Sequence, residues 1–207
     1  CGKVFDAMKK SAPTETRIPE FIPPFYLSPS MVQTALASTK INADESANLK
    51  EHSSDRIIQV SRKIRLAARF SSREKSSSKG LLVLMHGWLG DYYSSYIVRS
   101  SNYFFDRGFD ILRINLRDHG DTHHLNKDAF NGSLLPETYE AVRKGARALK
   151  ARKVFLAGFS LGGNFVLRMA LRHSSGGPGI PNLKGCVAVS PAIHPHSATL
   201  MMDNKPF

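Results

Sequence analysis

The sequence predicts an α/β fold: a doubly wound, mostly parallel sheet with a leading antiparallel hairpin. Three observations carry the prediction. Short apolar runs at Gly80–Met85 (GLLVLM), Val154–Ala157 (VFLA) and Leu183–Ser190 (LKGCVAVS) fit strands buried on both faces. Helical spacings fill the intervals between them, so strands alternate with helices after position 80, the pattern of a parallel sheet with helical crossovers. Ahead of these, Arg56–Val60 and Ile64–Phe70 read as two strands joined at Ser61-Arg62-Lys63, which makes that pair a hairpin.

A chain of 207 residues is long enough for one such domain with a core of its own. No apolar run approaches the ~18 residues needed to span a bilayer. No basic stretch followed by an apolar one opens the chain, so no signal peptide is visible and a cytoplasmic protein is expected. The two cysteines, Cys1 and Cys186, offer neither a disulfide framework nor a metal-ligand spacing. A start at Cys-Gly reads first as a fragment, and otherwise as a processed lipoprotein anchored through Cys1. The formal charge is +12, yet the basic residues are scattered and no aromatic-interleaved cluster accompanies them. Nucleic acid is therefore not an expected partner. Solvated faces account for the charge, with peripheral attraction to an anionic membrane surface as the functional alternative.

In order, residues 1–54 read as an extended N-terminal segment packing on the domain, and 55–207 as the core. Pro19, Pro23, Pro24 and Pro29 break helices in the first part, while Phe21, Ile22, Phe25, Tyr26 and Leu27 are too apolar for a free tail. A short helix is expected over Met31–Ala37, and loop over Ala43–Ser54. Ser71–Lys79 reads as a serine-rich surface loop. A helix over Ser95–Arg107 turns Tyr96, Ile97, Tyr103 and Phe104 inward and closes at Gly108. Phe109–Asn115 is the next strand. Pro136–Lys150 is a helix with Pro136 in its first turn and Glu137 and Glu140 near its positive end. Ala141, Val142, Ala146 and Leu149 face inward, and Lys150 and Arg152 lie at the negative end.

The chemistry centres on Lys153–Arg172. Gly158-Phe159-Ser160-Leu161-Gly162 fits G-x-S-x-G between an apolar strand and a helix with Phe165, Val166, Met169 and Ala170 at helical spacing. That context makes Ser160 the expected nucleophile on a strained strand-to-helix turn. Gly158 and Gly162 let helix and strand pass closely, and the helix N-terminus favours negative charge beside Ser160. The Leu161 N–H is one expected oxyanion donor. The other follows the strand ending at Met85, in His86-Gly87-Trp88-Leu89-Gly90: the backbone of Trp88 is the expected donor, with Gly87 turning the chain and His86 holding the loop in shape. Asp118, His119, Asp121, His123 and His124 in one loop could ligate a metal by type. Nothing fixes their spacing, so a polar loop at the pocket mouth is expected, with no metal and no cofactor.

HGWLG and GFSLGGN, each after a buried strand and in this order, resemble the α/β-hydrolase superfamily over roughly Arg56–Pro191. More narrowly, Pro23, Pro24, Leu27, Gln33 and Thr34 resemble the P-P-x-x-L … Q-T opening, and Ser160–Asn164 the elbow, of the branch holding YheT-type predicted hydrolases and fatty-acyl ester esterases/acyltransferases. That branch often carries R-G-x-G after the fourth strand, where this chain has Arg117-Asp118-His119-Gly120. The resemblance implies a partial α/β-hydrolase fold and a Ser-Asp-His triad acting on a small-molecule ester or acyl substrate. After Ser160 the one aspartate is Asp203, and no histidine follows it. The triad Asp and His are thus expected beyond residue 207, leaving this chain alone inactive. His194 or His196 as an unusual base is the alternative, as are an acyltransferase on the same site and a non-catalytic hydrolase-like domain.

Overall fold

The side chains of a strand alternate between faces, so a strand apolar at every position requires cover on both. The computed structural model meets that requirement. It describes residues 20, 22–29, 32, 33, 36, 44–73, 78–194 and 200. The chain divides into two units, 1–38 and 39–207.

In the second unit six strands form one sheet: Ser53–Gln59 (β1), Arg65–Ser71 (β2), Leu81–Met85 (β3), Asp110–Ile114 (β4), Val154–Phe159 (β5) and Leu183–Val189 (β6). Their order is β1-β2-β4-β3-β5-β6. β1 and β2 form the expected hairpin, with Gln59 opposite Arg65, and β2 runs antiparallel to β4. From β4 through β6 the sheet is parallel. Four α-helices whose bounds lie among the described residues flank it: Ala47–Glu51 (α1), Ser95–Asp106 (α2), Leu135–Ala148 (α3) and Leu161–Ser174 (α4). Leu82 and Leu84 of β3 pack with Leu49 of α1 and Ile97 and Phe105 of α2. Leu81, Val83 and Met85 pack on the opposite face with Val142 of α3 and Phe165, Val166 and Met169 of α4. Each face of β3 thus has its own core.

Several expectations are corrected in detail. The stretch 43–54 is not a loop throughout. α1 is capped by Ser46, whose hydroxyl accepts the Leu49 N–H at 3.1 Å, and β1 begins at Ser53. Glu45 is the reason this stretch is ordered against the sheet: its carboxylate receives Arg69 through two 2.8 Å bonds and also binds Arg113. In α2, Tyr103 is exposed and Phe105 is the buried residue instead. Arg107 packs over the Tyr103 ring, which suits an outward face. Gly108 closes α2 at φ +97°, as expected. β6 is parallel as expected but not buried: Val187 is 59% and Val189 41% exposed. Of the helix expected over Met31–Ala37, the described Val32, Gln33 and Leu36 are helical, and its other positions lie outside the described residues. Phe25–Leu27 form a single 3₁₀ turn after Pro24. Cys1, His196 and Asp203 also lie outside the described residues.

Candidate active site

Ser160 joins β5 to α4 with φ +50° and ψ −113°, a backbone region that a non-glycine residue enters only under constraint. The constraint is visible on both sides. The Ser160 N–H donates to Val189 O of β6 at 2.9 Å, and Ser160 O accepts the Asn164 N–H at 3.0 Å. The two elbow glycines are sterically obligatory. A Cβ on Gly158 would lie 2.3 Å from Gly162 O, and one on Gly162 would lie 2.5 Å from both Met85 O and His86 O. The first turn of α4 therefore rests directly on the C-terminal end of β3. Asn164 also braces the elbow, since its side-chain N–H donates to Ala192 O at 2.8 Å and ties the segment after β6 to α4.

The loop after β3 meets the same spot. A Cβ on Gly87 would stand 3.3 Å from Ser160 Cβ, so any larger residue would crowd the serine. The chain then turns through Trp88 and Leu89, with Gly90 N–H returning to Gly87 O at 3.1 Å and Leu89 at φ +58°. The Trp88 N–H donates to no protein acceptor among the described residues. The Leu161 N–H opens α4 and belongs to the helix donors that have no intrahelical partner. The geometry thus brings Ser160, Gly87, Gly158 and Gly162 together, with Leu161 following the serine in the chain and Trp88 following Gly87.

His86 is 1% exposed and uses both ring nitrogens. Nδ1 donates to Gly87 O at 2.7 Å, and Nε2 accepts the Leu116 N–H at 3.0 Å. Burial drives its pKa down to about 4, against the opposing Gly87 bond and helped by His119 nearby, so the ring is neutral. With no free lone pair it has no capacity as a base. It pins the end of β4 to the glycine loop.

Sequence reasoning missed Tyr96, whose hydroxyl accepts the Gly87 N–H at 2.9 Å while its ring lies 4.9 Å from that of Phe159. A tyrosine near the start of an amphipathic helix carries no distinguishing signal in sequence. Of the polar loop, Asp118 and His123 pair at 2.5 Å, and that bond is the main reason the Asp118 carboxyl titrates below its usual range. His119 is buried between the rings of His86 and Phe130. No three ligand-type side chains converge as a metal site among the described residues. Trp88, Leu89, Asp118, His119, His123 and Phe130 line a cavity of about 280 Å³ beside this loop. Arg117 anchors the loop's first residue by a two-pronged pair with Glu137 of α3. His173 receives the Ile180 N–H at 3.1 Å at the far end of α4, away from the elbow, and His194 is exposed.

A strand-elbow-helix serine facing a glycine loop, on a parallel sheet with a leading hairpin, defines a hydrolase-type α/β domain. Comparison with known proteins agrees. Residues 80–206 match the alpha/beta hydrolase fold family, and the chain belongs to that family. It is similar to a Haemophilus influenzae protein provisionally described as an esterase/lipase, with 30% identity over 112 residues. That match covers 54% of this chain and 36% of the relative, so the chain spans little more than a third of the relative's length. Among solved structures, a Pyrococcus furiosus esterase superposes with a TM-score of 0.59 at 16% identity, covering 91% of this chain and 63% of that one. A predicted CIB-like hydrolase from Thermoplasma acidophilum superposes with a TM-score of 0.53 at 17% identity, over 67% of this chain and 63% of the other. At these identities the structures speak to the fold. No described helix is long and apolar enough to cross a membrane.

Proposed function

We propose that this chain carries the nucleophile and oxyanion site of a serine hydrolase of carboxylic esters. The observation that carries the reading is the backbone of Ser160: a residue held at φ +50°, ψ −113° between a parallel strand and a helix N-terminus, with Gly87 against it. Strain of this kind costs about 1–3 kcal/mol and persists where function requires the side chain presented. In the reaction, Ser160 Oγ attacks the ester carbonyl as a histidine takes its proton. The Trp88 and Leu161 N–H groups receive the developing oxyanion. The alcohol leaves with that proton, and water then hydrolyses the acyl-enzyme. The base and its aspartate come, in this reading, from sequence following residue 207. His86 has both nitrogens engaged and His173 lies at the wrong end of α4. Trp88 and Leu89, 61% and 82% exposed beside the serine, suit an apolar acyl group.

Fluorophosphonate labelling tests the reading. The complete protein should label and turn over a short-chain ester, and Ser160→Ala should abolish both. Undiminished turnover by Ser160→Ala refutes it. The 207-residue chain alone should label far more slowly. Fast, Ser160-dependent labelling of that chain places a base within it and overturns the assignment of the triad partners.

A further inference from the structure

The catalytic steps above assign no role to the Asp118–His123 side of the cavity that the Trp88–Leu89 turn forms with the loop after β4. Its volume is about 280 Å³, room for a small organic group. Trp88, Leu89 and Phe130 give it apolar walls, and Asp118, His119 and His123 supply its polar side chains.

His119 is the first such group. It is 5% exposed and lines the cavity. Its Nδ1 donates to Arg117 O at 2.7 Å, and in the tautomer this bond selects for an unprotonated ring, Nε2 is an acceptor. That buried Nε2 has no partner among the described residues. Buried acceptors in native proteins are nearly always satisfied, and an exception asks for a ligand or an ion. Asp118 is the second. It stands at φ +58°, a left-handed position that glycine fills most easily and asparagine and aspartate next. Its carboxylate receives His123 Nδ1–H at 2.5 Å and stays ionised. The surrounding charge is of the same sign. The loop carries Asp118, Asp121 and Asp128 against Lys127, while Arg117 pairs with Glu137 and stands 3.8 Å from Asp128, although the chain as a whole is +12.

We propose that this cavity binds a protonated primary amine carried on an apolar frame. The ammonium lies against the Asp118 carboxylate and the Trp88 and Phe130 rings, and donates one N–H to His119 Nε2. The frame fills the space against Leu89. A carboxylate or phosphate is disfavoured because it would face Asp118. A neutral hydroxyl satisfies Nε2 but gains nothing from the carboxylate or the ring faces. Beside the oxyanion turn, such a site selects amino-bearing compounds whatever chemistry follows at Ser160.

Trp88 is the sole tryptophan, so its emission reports occupancy directly. The test titrates the Ser160→Ala chain, in which turnover plays no part, with hexylamine, 1-hexanol and hexanoate at about pH 8, above the ordinary histidine range. Hexylammonium should bind about tenfold more tightly than hexanol, the scale of one charge-assisted contact, and hexanoate weakest. Added salt should narrow the difference. Asp118→Asn keeps the left-handed backbone and removes the charge, so it should erase the preference while the thermal transition holds. His123→Gln should preserve it. Equal or tighter binding of hexanol or hexanoate overturns the proposal. So does the absence of any Trp88 response to hexylamine, or an undiminished preference in Asp118→Asn. Ser160 labelling is read separately, so failure here leaves the hydrolase reading standing, and the reverse holds too.

Discussion

Replacing Gly162 with alanine tests whether the contact between α4 and β3 sets the active-site geometry. The added Cβ would lie 2.5 Å from Met85 O, 2.5 Å from His86 O and 2.8 Å from Met85 C. Carbon–oxygen contacts ordinarily begin at about 3.3 Å, so the two oxygens are each about 0.8 Å too close. All three atoms are backbone, and β3 is hydrogen-bonded on both sides to β4 and β5. No rotamer change relieves the clash, so the first turn of α4 must move off the sheet. Overpacking of this kind costs about 1–3 kcal/mol, and in a domain of this size about 2 kcal/mol lowers the melting temperature by roughly 4–8 °C. The displacement also carries the Leu161 N–H away from Ser160. A misplacement of about 1 Å can cost about 10² in rate, so fluorophosphonate labelling of the complete protein should fall at least tenfold. Gly177→Ala is the matched control, since its Cβ would meet nothing within 4 Å, and it should change stability by no more than about 0.5 kcal/mol. Urea denaturation and labelling of both variants decide the matter. If Gly162→Ala behaves like Gly177→Ala, the elbow does not depend on this close approach and the steric argument fails.

Three further outcomes follow from the same structure. His86 is neutral in the fold with a pKa of about 4, against about 6.5 unfolded, so the unfolded chain binds more protons between these values. Its contribution is fully present above about pH 6.5 and is lost as pH falls toward 4, by about 2 kcal/mol at pH 5. Urea midpoints at pH 7.5 and 5 should converge in His86→Gln relative to the parent, and an unchanged pH dependence refutes the assignment. Ser160→Gly should stabilise the fold by about 1 kcal/mol through relief of the positive φ while abolishing labelling, whereas Ser160→Ala should not stabilise it. Equal denaturation midpoints for the two would show that the turn is unstrained. Glu45→Gln leaves Arg113, whose side chain is fully buried, without its carboxylate and should cost about 3 kcal/mol. Asp55→Asn removes a partner that is 66% exposed and should cost less than about 1 kcal/mol by the same measurement.

The parallel sheet was legible because β3 and β5 are apolar almost throughout, a pattern that cover on both faces explains. The hairpin was legible from its three-residue join. What periodicity left open was how far each helix face turns inward. Tyr103 and Phe105 are both apolar enough for the core, and the helix phase is decided by which of them meets Leu82, Leu84 and Ile111. The burial of β6 was misjudged for a related reason. LKGCVAVS has the composition of a central strand, but composition does not reveal whether a neighbour pairs with its second edge. Glu45 was invisible in a different way. It lies in a polar stretch whose order comes from Arg69 and Arg113, residues 24 and 68 positions away in the chain. Long-range charge pairing leaves no local pattern to read.

The site divides along the same line, between what a short motif specifies and what distant packing supplies. G-x-S-x-G names Ser160 and both glycines because the requirement is local: each glycine exists to avoid atoms within a few residues or on the adjoining strand. The glycine loop is half local. Its sequence marks Gly87, but the loop is held by the Tyr96 hydroxyl from α2 and by the His86 ring gripping the Leu116 N–H at the end of β4. Those two bonds fix it from opposite directions, one through the helix on one face of the sheet and one through the neighbouring strand. A loop fixed from two sides can present a backbone N–H without reorganising as charge develops, which is where an oxyanion site obtains its advantage over water. The departure at Arg117-Asp118-His119-Gly120 is the counterpart. Two bonds hold this segment: Arg117 anchors to Glu137, and Asn115 reaches His119 O at 3.3 Å. Asp118 and His119 line the cavity, and His119 also packs on the His86 ring that grips the end of β4. Asp118 touches none of the groups that hold the glycine loop, so substitutions there should shift which ligands bind while leaving the elbow's geometry in place, whereas His119 is shared between the cavity and the His86 support.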